Sequence, residues 1–243
     1  MSVKPYEKQE DSKKEQVRMM FNRIAPRYDL LNRVLSFGID RIWRRRLVRL
    51  VRKKAAATVL DVATGTGDLA LALAATLRKP LTVYGLDISS GMLELARKKV
   101  DKKGLQDLIV LKEGDSEALP FDDNYFDAVT VAFGVRNFGD LAKGLAEMRR
   151  VLKPGASLYV LEFSKPSVFP VKQLYGFYFS HILPWWGGVI SKDKAAYSYL
   201  PASVMDFPEG AAFEAELRRA GLNPTRSRRQ TFGIATIYIS EKG

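Results

Sequence analysis

The run Val59-Leu60-Asp61-Val62-Ala63-Thr64-Gly65-Thr66-Gly67-Asp68, followed by Val83-Tyr84-Gly85-Leu86-Asp87, decides how this chain folds. An apolar strand feeds a glycine turn, and a second strand ends in an acid. Gly65 and Gly67 let the backbone turn tightly and come close to a ligand, which a side chain at either position would obstruct. Asp87 stands 20 residues past Gly67, where a carboxylate can accept hydrogen bonds from both hydroxyls of a ribose. The pattern predicts a cradle for a nucleoside cofactor.

Outward from that cradle, strands are expected near Thr58–Val62, Thr82–Asp87, Leu108–Glu113, Phe126–Ala132 and Ser157–Glu162, separated by helices such as Gly91–Val100 and Leu141–Leu152. Such alternation means a parallel sheet with helices on both faces. Near the C-terminus a helix over Ala211–Ala220 ends at Gly221, and strands around Thr225–Gln230 and Ile234–Ser240 flank a short turn containing Gly233. Strands so close must form an antiparallel hairpin. A seven-stranded, mostly parallel Rossmann-like α/β sheet closed by such a hairpin is the layout of class I methyltransferases.

Ahead of the core, Val17, Met20, Phe21 and Ile24 give a helical pattern over Glu15–Arg27, which Pro26 should interrupt. A second helix is expected over Ile39–Lys54, with Ile39, Trp43, Leu47 and Leu50 or Val51 as an apolar stripe and Arg41, Arg44, Arg45, Arg49 and Arg52 around it. Two readings of it stand level: a helix resting on an anionic membrane, or one packed on the core with solvated arginines. The chain therefore reads as one domain with a basic helical cap (1–54), a cofactor-binding core (55–163), an aromatic lid insertion (164–210) and a C-terminal helix and hairpin (211–243).

The 243 residues are 47% hydrophobic, 27% charged and 11% aromatic, so disorder is expected at most in the polar first dozen or so. No cysteine and one histidine, His181, exclude disulfides and argue against a metal site. No apolar run reaches the ~18 residues of a membrane span and no signal peptide is visible, which predicts a cytoplasmic protein with at most a peripheral hold on the membrane. Residues 1–54 carry sixteen Lys/Arg against six Asp/Glu, while 55–163 carry thirteen against fifteen. A basic front end on a neutral core points to a polyanion; with no base-stacking platform or helix-turn-helix, an anionic membrane is expected rather than nucleic acid.

The glycine turn alone does not name the nucleoside, since Gly65-x-Gly67-x-x-Ala70 also suits a dinucleotide. Asp61, four residues ahead of Gly65, could face the ammonium group of a methionine moiety. Gly114-Asp115-Ser116, after the third strand, is placed to hydrogen-bond an adenine. An oxidoreductase would need a proton-transfer group such as Tyr-x-x-x-Lys on a helix, and the only such pair, Tyr238 and Lys242, falls on a predicted strand at the chain end.

Three segments then narrow the choice: Tyr28-Asp29-Leu30-Leu31-Asn32 with Ser36 and Trp43, Phe133-Gly134-Val135-Arg136-Asn137, and Arg150-Val151-Leu152-Lys153-Pro154-Gly155 through Leu161-Glu162-Phe163-Ser164. Together they closely resemble the UbiE/COQ5 and MenG family of quinone-biosynthesis C-methyltransferases, over residues 15 to the C-terminus. The resemblance implies S-adenosyl-L-methionine as methyl donor and a polyprenylated quinol as acceptor: demethylmenaquinol, or the benzoquinol precursor of ubiquinone. It implies cofactor contacts at Thr66, Asp87, Asp115 and Ser116, beside Asp61, Gly65 and Gly67. Asp40 stands where the family often has histidine, Leu31 where methionine is common, Ala156 where a second glycine is usual, and Ala132 where a cofactor-contacting serine often sits. An RNA-methylating enzyme is the closer rival, but no added RNA-binding module is present.

Methylating a ring carbon requires a phenolate, because loss of a hydroxyl proton pushes electron density onto the adjacent carbon. Arg136 is expected to stabilise that oxyanion, Asn137 to orient the ring or a water, and Asp68 to accept the proton. Tyr28 and Asp29 are expected to close the quinol pocket from the N-terminal side. A lid over Phe169–Leu200, with Phe177, Phe179, Ile182, Leu183, Trp185 and Trp186, would wall in the polyprenyl tail or serve a homodimer contact. His181 is expected to be a packed or surface residue, outside the site.

Overall fold

A computed structural model describes residues 3–6, 10–36, 38–76, 81–178 and 194–243. In chain order it contains α1 (Lys13–Leu35), α2 (Ile39–Arg52), β1 (Thr58–Val62), α3 (Asp68–Thr76), β2 (Thr82–Asp87), α4 (Ser90–Lys102), β3 (Ile109–Glu113) and β4 (Phe126–Ala132). A 3-10 turn (Val135–Asn137) leads to α5 (Leu141–Val151), β5 (Leu152–Phe163), α6 (Val171–Phe177), α7 (Lys194–Asp206), α8 (Ala211–Arg219), β6 (Leu222–Gln230) and β7 (Ala235–Lys242).

The seven strands form one sheet in the order β3-β2-β1-β4-β5-β7-β6. β3 through β5 run parallel, while β7 lies antiparallel to both β5 and β6. The central strands are buried on both sides, as a sheet covered by helices requires: β1 reads Val59, Leu60, Asp61 and Val62 at 1% exposure or less. Chain order reverses between β1 and β4, so a crevice opens beyond their carboxyl ends, where ligands bind in such sheets.

One N-terminal expectation is corrected, and one that stood open between two readings is decided for packing on the core. α1 runs through Pro26 instead of stopping there, because tertiary contacts on both sides of the proline hold it: Asn22 accepts hydrogen bonds from Ser89 and Gly91 of the α4 start, and Asp29, two turns later, is hydrogen-bonded by Thr66. In α2 the apolar stripe faces inward, with Trp43, Leu47, Val48 and Val51 at 2% exposure or less. Its apolar face is spent on the core, and the exposed face carries Arg41, Arg45, Arg46, Arg49 and Arg52 with Ile42.

β5 starts five residues earlier than expected because Leu152 pairs with Phe126 before the register shifts. β6 extends back to Leu222 through Pro224, which an edge strand tolerates. The hairpin turn places Thr231, Phe232 and Gly233 in the left-handed region. Of the expected lid, Phe179, Ile182, Leu183, Trp185 and Trp186 lie outside the described residues, as does His181.

Candidate active site

Beyond β1 the backbone turns with φ +58° at Gly65 and +79° at Gly67, and at Gly67 a Cβ would stand 3.1 Å from the Ala96 Cβ of α4. Only glycine meets both demands. Asp87, at the end of β2, accepts hydrogen bonds from the Gly65 N–H (2.8 Å) and the Ser89 N–H (2.9 Å). Burial pushes its carboxyl up to about 6, against the pull of these amides. Asp61 is pushed up to about 6 by the same cause. Its two oxygens accept from the Thr64 (2.6 Å) and Thr130 (2.9 Å) hydroxyls.

Two cavities open beside this turn. The smaller, about 70 Å³, is lined by Gly65, Asp87, Gly114, Asp115 and Ser116 on the sheet side and by Lys14, Val17 and Phe21 of α1. α1 is fastened over it: Lys14 Nζ lies 2.7 Å from Asp115, Asn22 Oδ1 accepts from Ser89 Oγ (2.7 Å) and Gly91 N–H (3.0 Å), and Asp29 pairs with Lys99 at 2.6 Å. The larger cavity, about 360 Å³, has apolar walls from Met20, Ile24, Trp43, Phe163 and Leu174. Its polar groups include Asn32, Ser36, Asp40, Arg44 and Arg136. Phe21, Tyr28, Phe133 and Asn137 line both cavities, so the two spaces meet there.

Arg136 follows β4 at the carboxyl edge of the sheet. Its guanidinium pairs with Glu162 at 2.7 Å and donates to the Phe133 carbonyl at 2.6 Å; the two side chains are 7% and 0% exposed. Arg136 Nε, Glu162 Oε2 and Asn137 Oδ1 are buried with no hydrogen-bond partner among the described residues. Burial raises the Glu162 carboxyl, and Arg136 offsets only part of that. The Arg136 guanidinium sits 5.4 Å above the Phe163 ring, Arg44 sits 5.4 Å above Phe133, and those rings are 4.5 Å apart. Tyr28 lies within the field of both arginines, yet desolvation at the cavity wall still raises its phenol.

The structure thus brings together Gly65, Asp87, Asp115, Ser116, Tyr28, Arg136 and Asn137. Three expected cofactor residues, Asp61, Thr66 and Gly67, line neither cavity; they shape the turn from behind. Thr66 donates to Asp29 (2.6 Å) and accepts from Lys99 (2.9 Å). Asp29 therefore belongs to the glycine turn and not to the wall of the larger cavity, because Thr66 and Lys99 draw its carboxylate that way. Asp68 opens α3 and is ion-paired with Lys99 at 2.7 Å with its side chain 46% exposed; it too lines neither cavity. Burial acts to raise its carboxyl, but Lys99, Arg44 and Arg41 outweigh that and lower it.

Sequence reasoning did not single out Lys14, Asn22 or Lys99 as fasteners of α1, and no local pattern marks them. Glu162 and Asp40 were visible only as members of a resembling segment. An acid inside an otherwise apolar strand, as Glu162 is in β5, was the one available signal.

The match to known proteins covers nearly the whole chain. The model of the ubiE/COQ5 methyltransferase family matches residues 9–242, and the chain belongs to that family. The demethylmenaquinone methyltransferase of Bacteroides fragilis is 47% identical over 240 residues, covering 99% of this chain and 97% of that protein. The ubiquinone/menaquinone biosynthesis C-methyltransferase UbiE of Geobacter sulfurreducens is 49% identical over 231 residues, covering 95% and 90%. Among solved structures, a SAM-dependent methyltransferase from Thermotoga maritima superposes with a TM-score of 0.67 at 19% identity, covering 93% of this chain and all of that one. One from Aquifex aeolicus gives 0.56 at 22% identity over 76% of this chain and 81% of its own. These last two share the fold.

Proposed function

We propose that this chain moves a methyl group from S-adenosyl-L-methionine to a ring carbon of demethylmenaquinol, giving menaquinol. The observation that carries the reading is the meeting of a nucleoside cradle with an apolar cavity of about 360 Å³ at Phe21, Tyr28, Phe133 and Asn137. That volume falls within the ~300–1,000 Å³ range of small-molecule sites. Aromatic walls suit a naphthalene ring and the start of a polyprenyl tail.

The residues present fit the cofactor. Asp87 is placed for the ribose hydroxyls, Asp115 and Ser116 for the adenine, and Gly65 leaves open space at the turn, with nothing within 4 Å of where its Cβ would be. When bound, the sulfonium supplies an electrophilic methyl group. Asp61, Thr66 and Gly67 hold the turn in shape, and Asp68 with Asp29 anchors it to Lys99.

Arg136 stabilises the quinol oxyanion from the wall of the larger cavity, and Asn137 orients the ring from the junction of the cavities. Tyr28 closes the reacting centre against water. The relative named for both ubiquinone and menaquinone keeps a benzoquinol acceptor as the alternative. Labelled S-adenosyl-L-methionine offered with reduced demethylmenaquinol and, separately, with a reduced demethylated benzoquinol decides between them by which one takes up label.

We further infer that the lipid substrate is collected at an anionic membrane. No helix among the described residues is long and apolar enough to cross a bilayer. The exposed arginines of α2 neighbour the hairpin turn, since Arg46 donates to Gln230 (2.6 Å) and Trp43 to Thr231 (2.8 Å). Phe232 on that turn is 71% exposed and Phe169, ahead of α6, 78%. Ile39, Ile234 and Val171 of the same elements line the larger cavity. Basic charge and exposed aromatics around an apolar mouth suit an anionic interface.

A further inference from the structure

We propose that Asp40 is the general base that takes the proton from the quinol hydroxyl. This rests on the quinol reading above and assigns the step that Asp68 is not placed to perform. Among the described residues, Asp40 is the one carboxylate lining the larger cavity. Asp87, Asp115 and Glu117 line the smaller one, and Glu162, itself 0% exposed, is engaged by Arg136. Arg136 cannot serve, because a guanidinium holds its proton at any working pH.

Asp40 is held for the task. It is 8% exposed at the first turn of α2. Oδ1 accepts the Ser36 hydroxyl at 2.7 Å, that hydroxyl oxygen in turn accepts the Gly38 N–H at 3.2 Å, and Oδ2 is ion-paired with Arg44. Each carboxylate oxygen keeps a lone pair beyond these bonds. Arg44 lies over Phe133, a residue common to both cavities, which brings the Asp40–Arg44 pair to the place where the ring must react. Across the cavity Arg136 lies over the ring stacked on Phe133, ready for the charge that deprotonation creates.

In this step the ring O–H bond breaks, Asp40 gains the proton, and the electron pair stays on oxygen and feeds the adjacent carbon. After methylation that carbon loses its hydrogen as a proton to water, and Asp40 returns its own to the ring oxygen. One proton is released per turnover and the carboxylate is restored.

Among the described residues, the charged and titratable groups around Asp40 are its ion-pair partner Arg44 and, lining the same cavity, Tyr28, Arg136, Tyr175, Tyr178 and Tyr199, with Glu162 behind Arg136. The arginines and tyrosines do not titrate between pH 4 and 8. A variant at position 40 therefore separates Asp40 from Glu162. Asp40→Asn should lower kcat by about 10²- to 10⁴-fold, the usual worth of a positioned base. Asp40→His should retain turnover, with an acid limb at higher pH than that of wild type, because an imidazole is a stronger base than a carboxylate.

A readout without turnover uses 4-methoxy-1-naphthol, which has one hydroxyl and is kept reduced under argon, bound to the cofactor-free protein in a calorimeter at pH 7. Wild type should bind it about ten-fold or more tightly than Asp40→Asn does, while 1,4-dimethoxynaphthalene, lacking the proton, should show no such preference. Near-wild-type turnover and naphthol affinity in folded Asp40→Asn, or an unmoved acid limb in Asp40→His, would overturn the proposal. Should Asp40→Asn not fold, the acid limb of Asp40→His decides. A wild type that binds naphthol in this Asp40-dependent way but methylates no quinol would overturn the quinol reading instead, leaving the carboxylate's contact in place.

Discussion

Replacing Arg136 by alanine removes the sole salt-bridge partner, among the described residues, of a carboxylate with no solvent exposure. Breaking a buried pair from one side costs about 3–5 kcal/mol when the remaining charge stays ionised. Glu162 has an escape, because burial already raises its carboxyl and loss of the guanidinium raises it further. An acid whose folded pKa is raised stabilises fully below its unfolded value, ~4.3, and loses that contribution as pH climbs through the folded value. Arg136→Ala should therefore lie close to wild type in denaturant melts near pH 4.5 and fall progressively behind it toward pH 8. The added change Glu162→Gln should remove most of that pH dependence, since it leaves no charge to strand. Turnover answers to a different partner: kcat should fall by about 10²- to 10³-fold in Arg136→Ala, the usual loss of one oxyanion donor, and Glu162→Gln should not restore it. A stability deficit independent of pH, or full recovery of kcat in the double variant, would refute a guanidinium that serves both the buried acid and the substrate.

At Gly67 an alanine would have to accept φ +79° and a Cβ contact of 3.1 Å with Ala96, so Gly67→Ala should cost about 1–3 kcal/mol in a urea melt and weaken cofactor affinity measured by calorimetry. Asp87, pushed up to about 6 by burial, destabilises the cofactor-free protein progressively as pH rises from ~4 through 6. S-adenosyl-L-methionine affinity should rise over the same interval, and Asp87→Asn should flatten both curves while abolishing tight binding. Arg45→Gln or Arg49→Gln should weaken affinity for anionic vesicles in co-sedimentation by about five-fold per arginine lost, at ~1 kcal/mol each, and added salt should erase the difference. Turnover on a short-tailed quinol in detergent should not change.

What the sequence made legible follows from how local each signal is. β1, β2 and β4 were located to the residue because each is a short apolar run ended by a turn, and the Gly65–Gly67 bend needs glycine for reasons confined to itself. The course of α1 through Pro26 was not legible, since the partners that carry it past the proline, Ser89, Gly91, Thr66 and Lys99, are brought there by the fold alone. For the same reason Asp29 and Asp68, adjacent to suggestive motifs, turned out to be claimed by Lys99. Arg136 and Asn137 were readable from their place after β4, but the buried carboxylate of Glu162 behind them was not. Asp40 drew notice only as a departure from a resembling segment; its meaning depends on α1, α2 and the turn after β4 meeting around one cavity.

The central claim is that the glycine-turn cradle and the aromatic cavity meet so that a methyl group passes to carbon. The most direct measurement is product analysis by mass spectrometry and NMR after incubating the purified protein with methyl-labelled S-adenosyl-L-methionine and reduced demethylmenaquinol. A single labelled methyl on the quinol ring carbon is the predicted result. Label on a ring oxygen, or none in the quinol while the protein holds the cofactor, would contradict it.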